Sequence, residues 1–168
     1  MAAQKKGFWS MEMADPPKLT NTQWNLIGLL GVILIVAAIL QAIGFNDFKG
    51  WFQSVGFNSG TAATVAVLMI IAELWAALSM FKLRLIPWFR TIGVYLAVLV
   101  AGFWFVENLR LISAQGAEEI SSSGFFGKFL ELSPGWWSVL GITAVLFWVI
   151  YSAGLLEKNL TVTGRRAR

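Results

Sequence analysis

The chain has 168 residues, of which 57% are hydrophobic and 13% charged, whereas an ordinary soluble domain carries about 25% charged residues. A core of this size cannot hide so much apolar surface from water, so the composition predicts an integral membrane protein. The sequence contains no cysteine or histidine, which excludes thiol chemistry, disulfides and most zinc, copper, iron and haem sites. The net charge is +4, but the basic residues cluster where loops would meet a membrane, so no nucleic-acid partner is predicted.

Residues 1–23 are polar and are predicted to form a cytoplasmic tail at the membrane surface. The first apolar run covers residues 24–43. It is too long and too far along the chain for the core of a signal peptide, and no cleavage pattern follows it, so we expect a retained transmembrane helix. Gly28 and Gly31 in this run permit the close approach of another helix.

Residues 46–56 show an aromatic pattern with a helical period. Phe48, Trp51, Phe52 and Val55 stand at positions i, i+3, i+4 and i+7, and Gly56 is a helix stop signal. The pattern predicts a short amphipathic helix that lies in the membrane interface. The alternative is a loop whose aromatic side chains anchor it there.

Three further apolar runs predict transmembrane helices over residues 61–81, 88–109 and 134–156. Pro87 separates the second span from the third, and Pro134 opens the fourth. Residues 110–133 are predicted to form a loop with a second interfacial patch, and residues 157–168 a basic cytoplasmic tail. The predicted fold is all-α, an integral membrane four-helix bundle with a short amphipathic interfacial helix after the first span.

The distribution of basic residues predicts the orientation of the bundle. The two tails and the connection between the second and third spans contain ten lysines and arginines, whereas the opposite loops contain Lys49, Arg110 and Lys128. Because cytoplasmic loops carry the excess of basic residues, both termini are expected in the cytoplasm. The expected location is a bacterial cytoplasmic (inner) membrane.

Glu73 is the only acidic residue in the second span, where a charged side chain costs roughly 2.5–3.5 kcal/mol to insert. We expect it to face the bundle interior, roughly 12 Å from the cytoplasmic end, in a neutral, protonated form, because burial disfavours the carboxylate. Its role stays open between a proton relay, a hydrogen bond to a quinone-like headgroup or a partner subunit, and a tie between two helices. The polar residues predicted at its level are Ser79, Tyr95, Tyr151 and Ser152.

A second polar group is predicted at the outer ends of the helices. Its members are Gln41, Thr64, Glu107, Asn108 and Arg110. Glu107 and Arg110 are i, i+3 neighbours that can form an ion pair, whereas Glu73, predicted about 13 Å deeper, cannot reach the arginine. The alternative is that these are ordinary interfacial residues whose side chains reach lipid headgroups. The acidic residues are too scattered to predict a metal site.

Three features of the first three spans occur together. They are the aromatic segment 45–52 (FNDFKGWF), the segment 72–78 (AELWAAL) with its single acid, and a basic turn that contains Arg84 and Arg90. Between about residues 26 and 105, this layout resembles the DoxX/MauE-like family of four-helix bacterial membrane proteins. The resemblance implies a four-helix bundle, and family members are associated with thiosulfate:quinone oxidoreduction, with amine dehydrogenase maturation or with no assigned activity.

The chain departs from the family pattern at two places. The usual Gly-Leu-x-Lys end of the first helix is replaced by residues 41–44 (QAIG), and the hinge is longer and contains Pro87. The absence of cysteine also excludes a thiol-redox role like that of some family members.

The sequence favours a non-catalytic subunit, or an assembly or stabilising component, of a larger membrane complex. It leans against an enzyme because no catalytic constellation is present. The alternative is a DoxX-like membrane component of a quinone-linked oxidoreductase, in which Glu73 meets a proton or a quinone headgroup and a partner carries the redox centre. A transporter or channel is disfavoured, because a single buried acid and no two-half symmetry are a poor basis for a pathway.

The expected partners are the lipid bilayer and other membrane-protein subunits. No cofactor is predicted, although the alternative function implies a quinone or another lipid-soluble ligand. A stripe of alanines in the second span would also permit homo-oligomers, because small residues let helices approach closely. Its members are Ala62, Ala63, Ala66, Ala72, Ala76 and Ala77.

Overall fold

A computed structural model of the protein describes residues 12–113 and 136–165, with side chains as far as residue 157. This part of the chain forms five helices and no β-strand. The helices are α1 (Asn21–Ile43), α2 (Phe45–Ser54), α3 (Ser59–Ser79), α4 (Pro87–Ser113) and α5 (Trp136–Arg165). The predicted all-α class is therefore confirmed for the described residues, while most of the predicted loop at 110–133 lies outside them.

Four of the helices, α1, α3, α4 and α5, are long and apolar enough to cross a membrane, which indicates an integral membrane protein. The apolar part of α5 ends at Glu157, close to the predicted end of the fourth span. The helix itself continues to Arg165. Charged residues end a membrane span but not a helix, because lysine and glutamate are good helix formers.

Local signals fix where two of these helices begin. At the start of α1, Thr20 and Gln23 form a reciprocal capping box, in which the Gln23 N–H donates to Thr20 Oγ1 (3.3 Å) and the Thr20 N–H to Gln23 Oε1 (2.9 Å). At the start of α3, the Thr61 N–H donates to Asn58 Oδ1 (2.9 Å). Helix α1 therefore begins at Asn21, before the apolar run that was predicted from residue 24.

The four long helices pack around a shared interior. Helix α3 lies between α1 and α4, and α5 packs on α4 and touches α1. Contacts of α3 with α1 and α4 are close because small residues line them. At Gly31 of α1, an added Cβ would lie 3.1 Å from Met80 Cβ, and at Gly93 of α4 it would lie 1.8 Å from Ser79 Oγ. The alanines of α3 that are fully buried inside the bundle are Ala62, Ala66, Ala76 and Ala77.

Helix α2 packs its aromatic face against α3 and the side chains of α4. The helical prediction for this segment is confirmed, and its loop alternative is wrong. Phe48 and Phe52 are fully buried and Trp51 nearly so, so the aromatic residues pack on protein. The helix ends before Gly56, whose φ of 107° lies in the left-handed region that suits glycine.

Candidate functional site

The candidate site is built around Glu73, whose side chain is fully buried in α3. Its Oε1 accepts a hydrogen bond from Gln41 Nε2 of α1 (3.1 Å) and a longer one from Trp104 Nε1 of α4 (3.4 Å). One carboxyl oxygen thus joins three of the four long helices. A polar link of this kind is stabilising in an apolar interior, where the alternative is an unsatisfied group.

The helical period explains why Glu73 faces inward. Ala66, Met69, Ala76 and Ala77 lie at i−7, i−4, i+3 and i+4 from it, and all four are buried. On α4, Trp104 continues the buried series of Ala97 and Ala101. The acid and its indole donor therefore occupy positions that the pattern of small residues assigns to the interior.

Aromatic side chains of α2 cover Trp104. The Trp51 and Trp104 rings lie 5.0 Å apart between centroids, and Phe48 and Phe52 lie 6.1 Å and 6.5 Å from the same indole. These distances are typical of favourable aromatic pairs. The indole that donates to Glu73 is therefore held between the carboxyl and an aromatic cover supplied by α2.

Arg110 fastens this cover to α4. Its Nε donates to Glu107 Oε2 (3.0 Å), and its Nη2 donates to the carbonyl oxygen of Val55 just after α2 (2.6 Å). The ion pair predicted between Glu107 and Arg110 is confirmed. It also orients the guanidinium toward the C-terminal end of α2, a function that sequence spacing alone did not reveal.

Glu73 Oε2 and Asn108 Oδ1 are buried oxygen atoms near this site that have no hydrogen-bond partner in the described part of the chain. Asn108 donates through Nδ2 to the carbonyl oxygen of Trp104 (2.8 Å), which leaves its own oxygen as an acceptor. An unsatisfied buried polar atom costs about 1–3 kcal/mol. Both atoms can accept a hydrogen bond from a hydroxyl or an N–H group, and a protonated Glu73 can also donate one.

The predicted outer cluster is only partly assembled. Asn108 is buried beside Trp104, and Glu107 and Arg110 pair at the rim. Thr64 is exposed on α3 and donates to the carbonyl oxygen of Gly60 (3.1 Å), so it is not part of the group. Gln41 is fully buried and belongs to Glu73, which corrects its assignment to the outer level.

The depths of Gln41 and Glu73 in the membrane were predicted by counting residues from the ends of their helices, but the ends of α1 and α3 are not level. Gly31, ten residues into α1, lies opposite Ala77 and Met80 near the end of α3. From this contact, Gln41 lies about 15 Å along α1 and Glu73 about 8 Å back along α3. The long side chains of Gln41 and Glu73 bridge the remaining difference in depth between their backbones.

No hydrogen bond in the described part of the chain joins Glu73 to the neutral residues predicted at its level. Ser79 is buried and donates to the carbonyl oxygen of Trp75 (3.1 Å) in its own helix. Tyr95 and Tyr151 are each 54% exposed, and the Tyr95 hydroxyl lies 3.5 Å from Glu157 Oε1. Ser152 is buried, but no hydrogen bond in the described part of the chain links it to Glu73. Sequence analysis did not identify Trp104 as a partner of Glu73. The available signal was its position in the buried series of α4.

Comparison of the chain with protein-family models, with curated proteins and with solved structures gives no match. Groups of three or more acidic residues that could hold a metal ion are also absent from the described residues.

Proposed function

We propose that the protein is a non-catalytic subunit, or an assembly or stabilising component, of a larger membrane complex. The observation that supports this proposal is the outward face of α5. Trp137 is 87% exposed and Phe147 69%, and Ala144 lies exposed between them. Gly141 and Gly154 on the same helix have open space where a Cβ would be.

Large side chains beside small ones are what a second transmembrane helix needs for close packing, because the small positions let backbones approach. Contact with lipid tails does not require small side chains. On α3, by contrast, most of the predicted alanine stripe is already buried inside the bundle, and the exposed positions are large and aliphatic, among them Leu68, Ile71 and Leu74. We therefore assign the partner to α5 and lipid to the outer face of α3.

In this proposal Glu73 is a structural tie. Its Oε1 holds α1 and α4 to α3 through two N–H donors, so that α4 presents a fixed surface to α5. A tie of this kind stabilises the bundle without taking part in chemistry.

The test is native mass spectrometry of the protein extracted from its own membrane in mild detergent. We expect co-elution with larger subunits at a fixed stoichiometry. Ala144→Phe should abolish that co-elution, whereas Leu68→Phe, the matched change on the lipid-facing side of α3, should not. A wild-type protein that runs only alone, or only as a homo-oligomer, would contradict the proposal.

A second candidate is a membrane component of a quinone-linked oxidoreductase, as the DoxX/MauE-like resemblance implies. The observation that favours it is the pair of unpartnered acceptors, Glu73 Oε2 and Asn108 Oδ1, beside the aromatic cover. A quinol carries two hydroxyl donors and a planar ring, which suit carbonyl acceptors and aromatic side chains. Another subunit would have to carry the redox centre.

The same mass spectra test this candidate. A bound mass that matches a quinone, lost in Glu73→Leu and retained in Leu68→Phe, would favour it. A wild-type protein with no such mass in its native membrane extract would argue against it.

The proposed orientation places both termini in the cytoplasm, with the protein in a bacterial inner membrane. Its support is the excess of basic residues in the tails and the α3–α4 connection. Because the chain has no cysteine, single substitutions Arg84→Cys and Lys49→Cys can be labelled with an impermeant maleimide in intact cells. We expect labelling at position 49 only. Labelling at position 84 would show that the orientation is the opposite one.

A further inference from the structure

A buried arginine lies where α3 passes into α4. Arg90 is the fourth residue of α4 and is 2% exposed. Its Nη2 donates to the carbonyl oxygen of Leu83 in the connection, and its guanidinium carbon lies 6.0 Å from the centroid of the Trp24 ring of α1. Arg90 therefore joins α1, the α3–α4 connection and α4, but both of these contacts are with groups that carry no net charge.

The charge of this guanidinium is not balanced within the described part of the chain. No carboxylate there forms an ion pair with Arg90, and its buried Nη1 has no hydrogen-bond partner. Asp15, in the N-terminal segment, pairs instead with Arg84 (3.0 Å) on the surface. A buried charge is costly unless a counter-charge accompanies it, and an arginine cannot relieve the cost by losing its proton. The position is therefore suited to an anion.

The surrounding chain favours a phosphate as that anion. The N-terminal segment meets the α3–α4 connection where the Ala14 N–H donates to the Leu85 carbonyl oxygen (3.0 Å), and over residues 12–20 and 80–90 these two segments contain four basic residues and two acidic ones. Arg90 also lies in the first turn of α4, where the helix dipole favours negative charge. Guanidinium groups bind phosphate through paired hydrogen bonds, one of which Nη1 can supply.

The position along the bundle points to a lipid as the source of the phosphate. Trp24 lies in the first turn of α1 and Trp88 in the first turn of α4, and Trp75 and Phe89 stack 4.9 Å apart beside Trp88. Tryptophan is enriched where a bilayer changes from hydrocarbon to headgroups. The α3–α4 connection, which is not helical, covers the guanidinium through the Leu83 carbonyl oxygen.

We infer that Arg90 is the centre of a binding site for the phosphate group of an anionic phospholipid. The lipid phosphate supplies the counter-charge of the buried guanidinium and so holds the N-terminal end of α1 against the α3–α4 connection. This site is separate from the Glu73 group and does not depend on the function proposed for the protein.

The test compares lipid retention by native mass spectrometry after reconstitution with phosphatidylglycerol or phosphatidylcholine. We expect wild-type protein to retain phosphatidylglycerol preferentially, and Arg90→Gln to lose that retention by about tenfold or more. Arg84→Gln is the matched control, because Arg84 lies in the same connection but is exposed and already paired. It should retain the lipid as the wild type does.

Each remaining outcome decides a separate point. Equal retention of the two lipids by the wild type, or equal loss from both variants, would overturn the site. If inorganic phosphate displaces the lipid and stabilises the delipidated protein as much as phosphatidylglycerol does, the phosphate site stands and its source is the solution. If Arg90→Gln does not fold, Arg90→Lys is used, which keeps the positive charge but not the paired N–H donors of the guanidinium. This variant should retain the lipid more weakly, and unchanged retention would count against the site.

Discussion

The contact between α3 and α4 at Gly93 gives a quantitative prediction. A Cβ at this position would lie 1.8 Å from Ser79 Oγ, 2.7 Å from Ser79 Cβ and 3.0 Å from the carbonyl oxygen of Trp75. Ordinary contacts between non-bonded carbon atoms are about 3.5–4.0 Å. A rotation of the serine side chain can move its oxygen but not its Cβ, so Gly93→Ala must push the two helices apart.

The size of the effect follows from two opposing terms. Overpacking a well-packed interior costs about 1–3 kcal/mol, and the depth of this overlap places Gly93→Ala near the upper value. Replacing glycine by alanine in a helix gains about 1 kcal/mol. The expected net result is a loss of about 2 kcal/mol in the free energy of unfolding.

The measurement is reversible unfolding in mixed micelles, followed by circular dichroism. Gly102→Ala on the same helix is the control, because nothing lies within 4 Å of its added Cβ, and it should be neutral or slightly stabilising. Combining Gly93→Ala with Ser79→Gly removes the two shortest overlaps, so the double variant should lose at least about 1 kcal/mol less than the sum of the single changes. If Gly93→Ala is as stable as Gly102→Ala, the close approach of α3 and α4 is refuted.

Three further predictions concern the Glu73 group. Glu73→Leu leaves two N–H donors without their acceptor and should cost about 1–3 kcal/mol in the same unfolding assay, whereas Glu73→Gln keeps an acceptor oxygen and should cost less than half as much; equal losses would show that the hydrogen bonds contribute nothing. Trp104→Phe removes one donor and part of a packed ring, and should cost about 1–3 kcal/mol, an expectation that fails if unfolding is unchanged. Arg110→Gln releases Val55 and should speed amide exchange in residues 45–55 while changing global stability by less than about 1 kcal/mol; unchanged exchange would show that Arg110 does not fasten α2.

The sequence was sufficient to predict the four long helices and the additional short one. Continuous apolar runs of about 20 residues determine the former, and the period of Phe48, Trp51 and Phe52 determines the latter. The same period did not say what the aromatic face would contact. An apolar face has the same pattern whether it meets lipid or protein, so the burial of these side chains against Trp104 could not be read from α2 alone.

The partners of Glu73 were harder to predict because they depend on how far each helix is shifted along its neighbour. That shift is set by the contact of Gly31 with Ala77 and Met80, which no single segment encodes. Counting residues from the helix ends therefore groups Gln41 with Thr64 at the outer level. The Glu107–Arg110 pair was predicted correctly, since an i, i+3 pair within one helix does not depend on the shift.

The two buried ionisable groups of the described bundle meet opposite requirements. Glu73 and Arg90 lie on neighbouring helices, but the contact of Gly93 with Ser79 places them roughly 10–15 Å apart along the bundle, too far for an ion pair. The acid has local N–H donors and can also become neutral by taking up a proton. The arginine keeps its charge at any physiological pH. Because only the acid can become neutral, the proposed anionic lipid would supply a counter-charge at the Arg90 end of the bundle and not at the Glu73 end.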